Sequence, residues 1–145
     1  MEKNIQPLLD FAKENGICAF HNLGHDLNGW LTDLQQERLG FSNEELLKGI
    51  KQIMACCIVF DFSHPVCVDV FGKWLAASRD GVSFQNGYGS QRPGFVASRH
   101  DQSYLSGLIH IAGIQLQPYG KLVYRPHDTT FEYGTDIFFI NKAVE

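Results

Sequence analysis

Apolar and polar positions follow helical spacing in some stretches and unbroken apolar runs in others, predicting a mixed series of helices and strands. Near the start, Ile5, Leu8, Leu9 and Ala12 form one helical face. Asn4 stands where a cap belongs and Gly16 where a helix stops. Ile17 to Phe20 reads as a short buried strand. His21-Asn22-Leu23-Gly24-His25-Asp26-Leu27-Asn28-Gly29 has the turn formers and polar tips of a loop. Trp30 to Leu39 reads as a helix closed by Gly40. A capping box in Ser42-Asn43-Glu44-Glu45 starts a shorter helix through Leu46, Leu47 and Ile50.

Ile53 to Phe60 is apolar throughout, without alternation, the pattern of a central strand covered on both faces of an α/β sheet. His64-Pro65 opens a helix whose stripe is Cys67, Val70, Phe71, Trp74 and Leu75, with Phe71 and Trp74 read as core. Asp80 to Gly94 is a long Gly-rich loop, of the kind that is functional or mobile. It leads into a last helix with Leu105, Leu108, Ile109 and Ala112 on one side and Gly113 as its stop. Ile114 to Leu116, Leu122 to Tyr124 and Ile137 to Ile140 are short strand candidates. The fold class is α/β, in one domain over residues 1–145. With a helix first and one strongly central strand, the sheet reads as incomplete, needing sequence upstream or a partner.

Composition narrows the function classes. The apolar share is 44% and the charged share 19%, values of a globular chain. A net charge of −4 without a basic run argues against nucleic acid as partner. No apolar run approaches the ~20 residues of a membrane span, and the start lacks a signal-peptide pattern. Cys18, Cys56, Cys57 and Cys67 have no C-x-x-C spacing. With Cys56 and Cys57 inside an apolar run, they read as core hydrophobes in a reducing, cytoplasmic setting.

Arg99-His100-Asp101-Gln102-Ser103 carries the chemistry. Asp101 lies four residues before Leu105, so a carboxylate falls in line with a buried stripe, where it needs a partner or a cleft. It can complete an S-x-x-D cap with Ser98. It can also belong to a site at the helix mouth, where Arg99, His100, Asp101 and Gln102 converge, and the two readings are compatible. His21 and His25, four apart, are a weak zinc pair on a loop, and His127-Asp128 a weak ion-binding turn. His110 reads as partly buried. Trp30, directly after the polar loop, can stack a sugar or base or pack beneath the loop. Dinucleotide, P-loop and G-x-S-x-G hydrolase motifs are absent, and no Cys has a polar His partner.

The R-H-D-Q-S segment, with Leu105-Ser106 and Gly113-Ile114 after it, resembles that of nucleotide-diphospho-sugar glycosyltransferases of the GT-A type. Ile5-Gln6-Pro7-Leu8-Leu9, Gly24-His25 with Trp30-Leu31-Thr32, Gln52 through Phe60, and Phe71-Gly72-Lys73-Trp74-Leu75 resemble other parts of that family in the same order. The resemblance implies transfer of a sugar to an acceptor hydroxyl, with Asp101 as base or orienting carboxylate and Gln102 beside the transferred sugar. It implies substrate contacts for Arg99, His100, His25, Trp30 and Thr32.

The departures are as specific. None of the nine Asp residues forms the family's D-x-D, and Met1-Glu2-Lys3-Asn4 stands where it belongs. Phe139-Ile140-Asn141-Lys142 replaces a terminal strand carrying His and Arg. The expectation is a GT-A-like sheet flanked by helices and lacking the N-terminal nucleotide-binding half. The partners implied are a nucleotide sugar and a sugar or glycan acceptor. No metal is expected on this chain, and manganese or magnesium only with the missing half. A companion subunit, or self-association through Ile5, Leu8 and Leu9, would cover the open sheet. A non-catalytic carbohydrate or small-molecule binding module is the second reading, and a metal-dependent hydrolase using His21, His25 and Asp101 the third.

Overall fold

The computed structural model describes residues 5–85 and 89–118 and the backbone of Val123–Tyr124 and Phe138–Phe139. Asn4, His127 and Asp128 lie outside the described residues. The fold is mixed α/β. Helix α1 spans Gln6–Asn15, with Pro7 in its first turn and Gly16 closing it at φ 87°. A Cβ on Gly16 would lie 2.9 Å from His64 Nδ1 and 3.0 Å from the Cys67 nitrogen, so both conformation and space require glycine. Leu8 and Ala12 are buried, whereas Ile5 and Leu9 are 46% and 40% exposed.

Strand β1 runs Ile17–Asp26 and strand β2 Lys51–Phe60, paired antiparallel. Both strands are covered on two faces, β1 fully over residues 17–20 and β2 in part. Ile17 and Ala19 face the larger core with Ile53, Cys67, Val70, Leu105 and Ile109. Cys18 and Phe20 face α1 through Leu8 and Ala12, with Met54 of β2 in the same cluster. On its other edge β1 pairs with Gln117, whose N–H donates to the Ala19 carbonyl at 2.8 Å and whose carbonyl accepts from His21 at 3.1 Å. β2 sets Ile53, Ile58 and Phe60 against the larger core and Met54, Cys57 and Val59 against the smaller one, but it leaves Ala55 and Cys56 exposed, so Cys56 is not core.

The predicted loop after Phe20 is a bulged continuation of β1. From the pair Ala19–Ile58 to the pair His21–Ile53, β1 advances two residues and β2 five. From there to Asp26–Lys51 the imbalance reverses. Gly24, at φ 77°, supplies the left-handed turn such a bulge needs. Turn formers inside a strand explain why the composition reads as loop.

The predicted Trp30 helix is broken. Helix α2 covers Leu27–Trp30, with the Asp26 carboxylate accepting from Gly29, and α3 covers Asp33–Leu39. Thr32 and Gln35 form a reciprocal capping box that restarts the helix after an extended Leu31. Asn43 alone caps α4, Glu44–Gly49, in place of the box expected from Ser42. Helix α5, Pro65–Arg79, starts on the His64 ring, and α6 covers His100–Ile111. Ile114 to Leu116 is not a strand. β3, Val123–Tyr124, and β4, Phe138–Phe139, form a short parallel pair within the two later strand predictions.

Helix α6 is bound to β2 by side chains where the sheet register breaks. The Ile53 N–H donates to Ser106 Oγ at 3.0 Å, and Gln102 Nε2 donates to the Ile53 carbonyl at 2.7 Å. Ser103 Oγ donates to the Trp30 carbonyl at 2.8 Å and accepts from Gln52 Nε2 at 3.1 Å. Burying these polar groups is tolerable because each is paired.

Burial, then the neighbouring Cys57, pushes the Cys18 thiol up to about 12. The folded protein therefore keeps a proton that the unfolded chain releases near ~8.5. Stability is full below that pH and falls as pH rises toward about 12. Urea unfolding at stepped pH should show this fall, flattened in Cys18→Ala. Ser106→Ala should cost about 1–3 kcal/mol in the same measurement, because it strands a buried N–H. Ser78→Ala, at the surface, should stay within about 0.5 kcal/mol of the parent.

Candidate functional site

The long connection from α5 to α6 is held at both ends. The Arg38 guanidinium pairs with the Asp80 carboxylate and donates to Ser83 Oγ at 2.6 Å. Arg92, its side chain 1% exposed, donates to the carbonyls of Asn28 and Leu31 and to Gln36 Oε1 at 2.7 Å, with Asp33 at 3.4 Å. A buried guanidinium is stable here because its N–H groups meet oxygens. Val96 and Ala97 donate to the Gly29 carbonyl, so the connection lies on α2 as it approaches α6.

The first turn of α6 is fixed in an unusual backbone. His100 has φ 47°, a left-handed conformation that costs a non-glycine residue roughly 1–2 kcal/mol. Its N–H donates to Ser98 Oγ at 3.0 Å, and its carbonyl accepts from Gln35 Nε2 at 2.9 Å. Gln35 is buried and also donates to the Ser83 carbonyl at 2.9 Å. Ser98 thus serves His100, and the S-x-x-D cap with Asp101 does not form. Trp74 Nε1 donates to the Asp101 carbonyl at 3.2 Å, joining α5 to the same turn.

This turn divides the predicted site residues. On one side His25, Trp30 and Arg99 form a stack. The His25 ring meets the Trp30 ring edge-on at 4.9 Å between centroids, and the Arg99 guanidinium lies 4.4 Å from the Trp30 centroid. This cation–π contact occupies one face of the indole. On the other side His100 and Asp101 rim a cleft of about 410 Å³ lined by Phe71, Trp74, Leu75 and Phe84. Thr32 is buried with its hydroxyl accepting from Gln35, and Gln102 faces β2 through its amide.

Trp74 and Phe71 were expected in the core. Both are half-buried: α5 sinks Cys67, Val70 and Ala77, Trp74 packs against the edge of that core, and the Phe71–Trp74–Leu75–Ser78 face lines a cleft. Ser78 at the end of that stripe is the sequence signal that the face leaves the core. Phe84 was missed because a lone aromatic in a loop has no periodicity. Its ring meets Tyr104 edge-on at 5.8 Å. Burial, the larger effect, holds the Tyr104 phenol above its ordinary range.

Asp101 is exposed, and among the described residues its carboxylate has no hydrogen-bond donor or basic partner. A carboxylate beside aromatic faces suits a ligand with an apolar face and hydroxyl edges, because C–H groups meet the negative π face while the acid accepts O–H.

His21 lies in a different cleft from the His25 stack, and Asp101 in a third place, so the hydrolase triad is not assembled. Among the described residues no three His, Cys, Asp or Glu side chains gather, a donor set that does not fit a divalent cation. His110 is exposed, not partly buried. Among the described residues no helix is long and apolar enough to cross a membrane. Comparison of the chain with protein-family models, curated proteins and solved structures finds no match.

The left-handed His100 gives a direct test. His100→Gly should raise stability by up to about 1 kcal/mol in urea unfolding, since glycine adopts this φ without strain. His100→Val should lower it by at least about 1 kcal/mol. Equal stabilities for the two variants would contradict the backbone geometry.

Proposed function

We propose that the cleft beside the first turn of α6 receives a saccharide, and that the chain is the acceptor-side part of a GT-A-like glycosyltransferase. The observation that carries this reading is the Asp101 carboxylate, which is uncommitted at the rim of an aromatic cleft. An acceptor pyranose lies with its C–H face on Trp74 and one hydroxyl on Asp101. That hydroxyl oxygen bonds to the anomeric carbon of a nucleotide-diphosphate sugar. Its proton passes to Asp101, and the diphosphate leaves with the electron pair. His100 lines the same rim, held in place by Ser98 and Gln35.

The donor and its manganese or magnesium ion have no ligand set among the described residues, so the roles assigned to this chain end at the acceptor. Ile5 and Leu9, exposed on α1, offer a surface for a companion subunit or a second copy. A cytoplasmic setting fits the free thiols of Cys18, Cys56, Cys57 and Cys67.

A second reading, saccharide binding without transfer, is favoured by Gln102. Its Nε2 donates to the Ile53 carbonyl, which turns the amide toward β2 and away from the role assigned to it in transfer.

Titration with glucose, galactose, mannose, N-acetylglucosamine and their disaccharides, followed by NMR of the Trp74 indole, tests the shared part. Saturable binding is expected with at least one probe. It should weaken about tenfold in Asp101→Asn, the loss of one charge-assisted hydrogen bond. With UDP- or GDP-sugars and manganese added, no nucleoside diphosphate release is expected of this chain by itself, and release would overturn the second reading. No saccharide binding overturns both.

A further inference from the structure

A second cleft lies between the sheet and the far end of α6, about 200 Å³ in volume and built from β1, β2 and α6. His21, Lys51 and His110 all line it, one from each element, and no carboxylate does. We propose that this cleft binds a phosphate group, free or as a small phosphomonoester. The inference is independent of the saccharide reading.

An anion in this cleft would meet the Lys51 ammonium and ring N–H donors from two imidazoles, with no carboxylate competing for them. Burial, then the Lys51 ammonium, disfavours the protonated form of His21 while no anion is present. Lys51 makes no ion pair among the described residues, while Lys48 and Lys73 each hold a carboxylate on their own helix. Asp26 stands opposite Lys51 across the strand pair, yet its carboxylate accepts the Gly29 N–H and caps α2.

Helix ends present carbonyls that repel anions, and α6 ends here. Those carbonyls are engaged: Gly113 donates to His110 at 2.9 Å and Ile114 to Ile109 at 3.2 Å. The Ile50 carbonyl, after α4, accepts from Leu27 at 2.9 Å. The volume falls below the ~300–1,000 Å³ of sites for drug-sized ligands, which selects a small anion over a nucleotide.

The test is a titration of the full chain with inorganic phosphate and, separately, with glycerol 3-phosphate, read from the imidazole resonances of His21 and His110. Both resonances should shift together and saturate at millimolar levels. Lys51→Gln should weaken binding about tenfold, whereas Lys73→Gln, on the exposed face of α5, should not. Tighter binding of glycerol 3-phosphate identifies a phosphomonoester site, and tighter binding of phosphate a free-ion site. His21→Gln is the second variant should Lys51→Gln not fold. Shifts without saturation, or equal affinity in the folded Lys51 or His21 variant, would overturn the proposal.

Discussion

Ile53 is where the structure is joined. At that residue the register of β2 against β1 breaks, and its peptide groups turn to α6. Ser106 and Gln102 supply the acceptor and donor, and Ser106 Oγ in turn donates to the Gln102 carbonyl at 2.6 Å. Ser103 extends the same contact to Gln52 and to the end of α2. Helix and sheet are therefore locked in one register by directional bonds, and Leu105, Leu108 and Ile109 pack the core beside them. Buried polar pairs at fixed spacing add a directional constraint to close apolar packing, since a shift in register would leave each of them unpaired.

The candidate saccharide cleft depends on that lock. With α6 fixed along Gln102, Ser103 and Ser106, its first turn projects past the sheet toward α5. There Gln35 and Trp74 hold the carbonyls of His100 and Asp101. A left-handed His100 is sustained because its N–H and its carbonyl are each bonded. Asp101 contributes its carbonyl to the scaffold, and its side chain lies at the rim of the cleft. Arg99, one residue before α6, is drawn the other way onto Trp30. Adjacent residues thus serve two surfaces.

The connection from Asp80 to Ala97 shows why long loops and fixed loops are different things. Its composition is that of mobile sequence, yet Arg38 and Arg92 fasten it to α3 and α2. Arg92 does so from the interior, where a guanidinium is retained only if several oxygens surround it. The connection delivers Phe84 to the cleft and Ser98 to His100, so anchoring the loop and forming the site are one event.

Much of the local structure was legible in the residues. Gly16 ends α1 because only glycine fits there, Pro65 starts α5, and the spacing of Leu105, Leu108 and Ile109 buries α6. The same reasoning placed a carboxylate at the mouth of α6. The helix restart at Thr32 was overlooked although Thr32-x-x-Gln35 is a capping-box spacing, because the apolar spacing from Trp30 to Leu39 reads as one continuous helix. Nor could that reasoning show that Ala55 and Cys56 would lie exposed inside the apolar run of β2, because an apolar run looks alike whether a second layer covers it or solvent does. Which stripe of α5 sinks into the core, Cys67–Val70–Ala77 or Phe71–Trp74–Leu75, and which side chains meet across α6, depend on how helices are set against a sheet. That setting arises from contacts between residues tens of positions apart, and no local pattern encodes it.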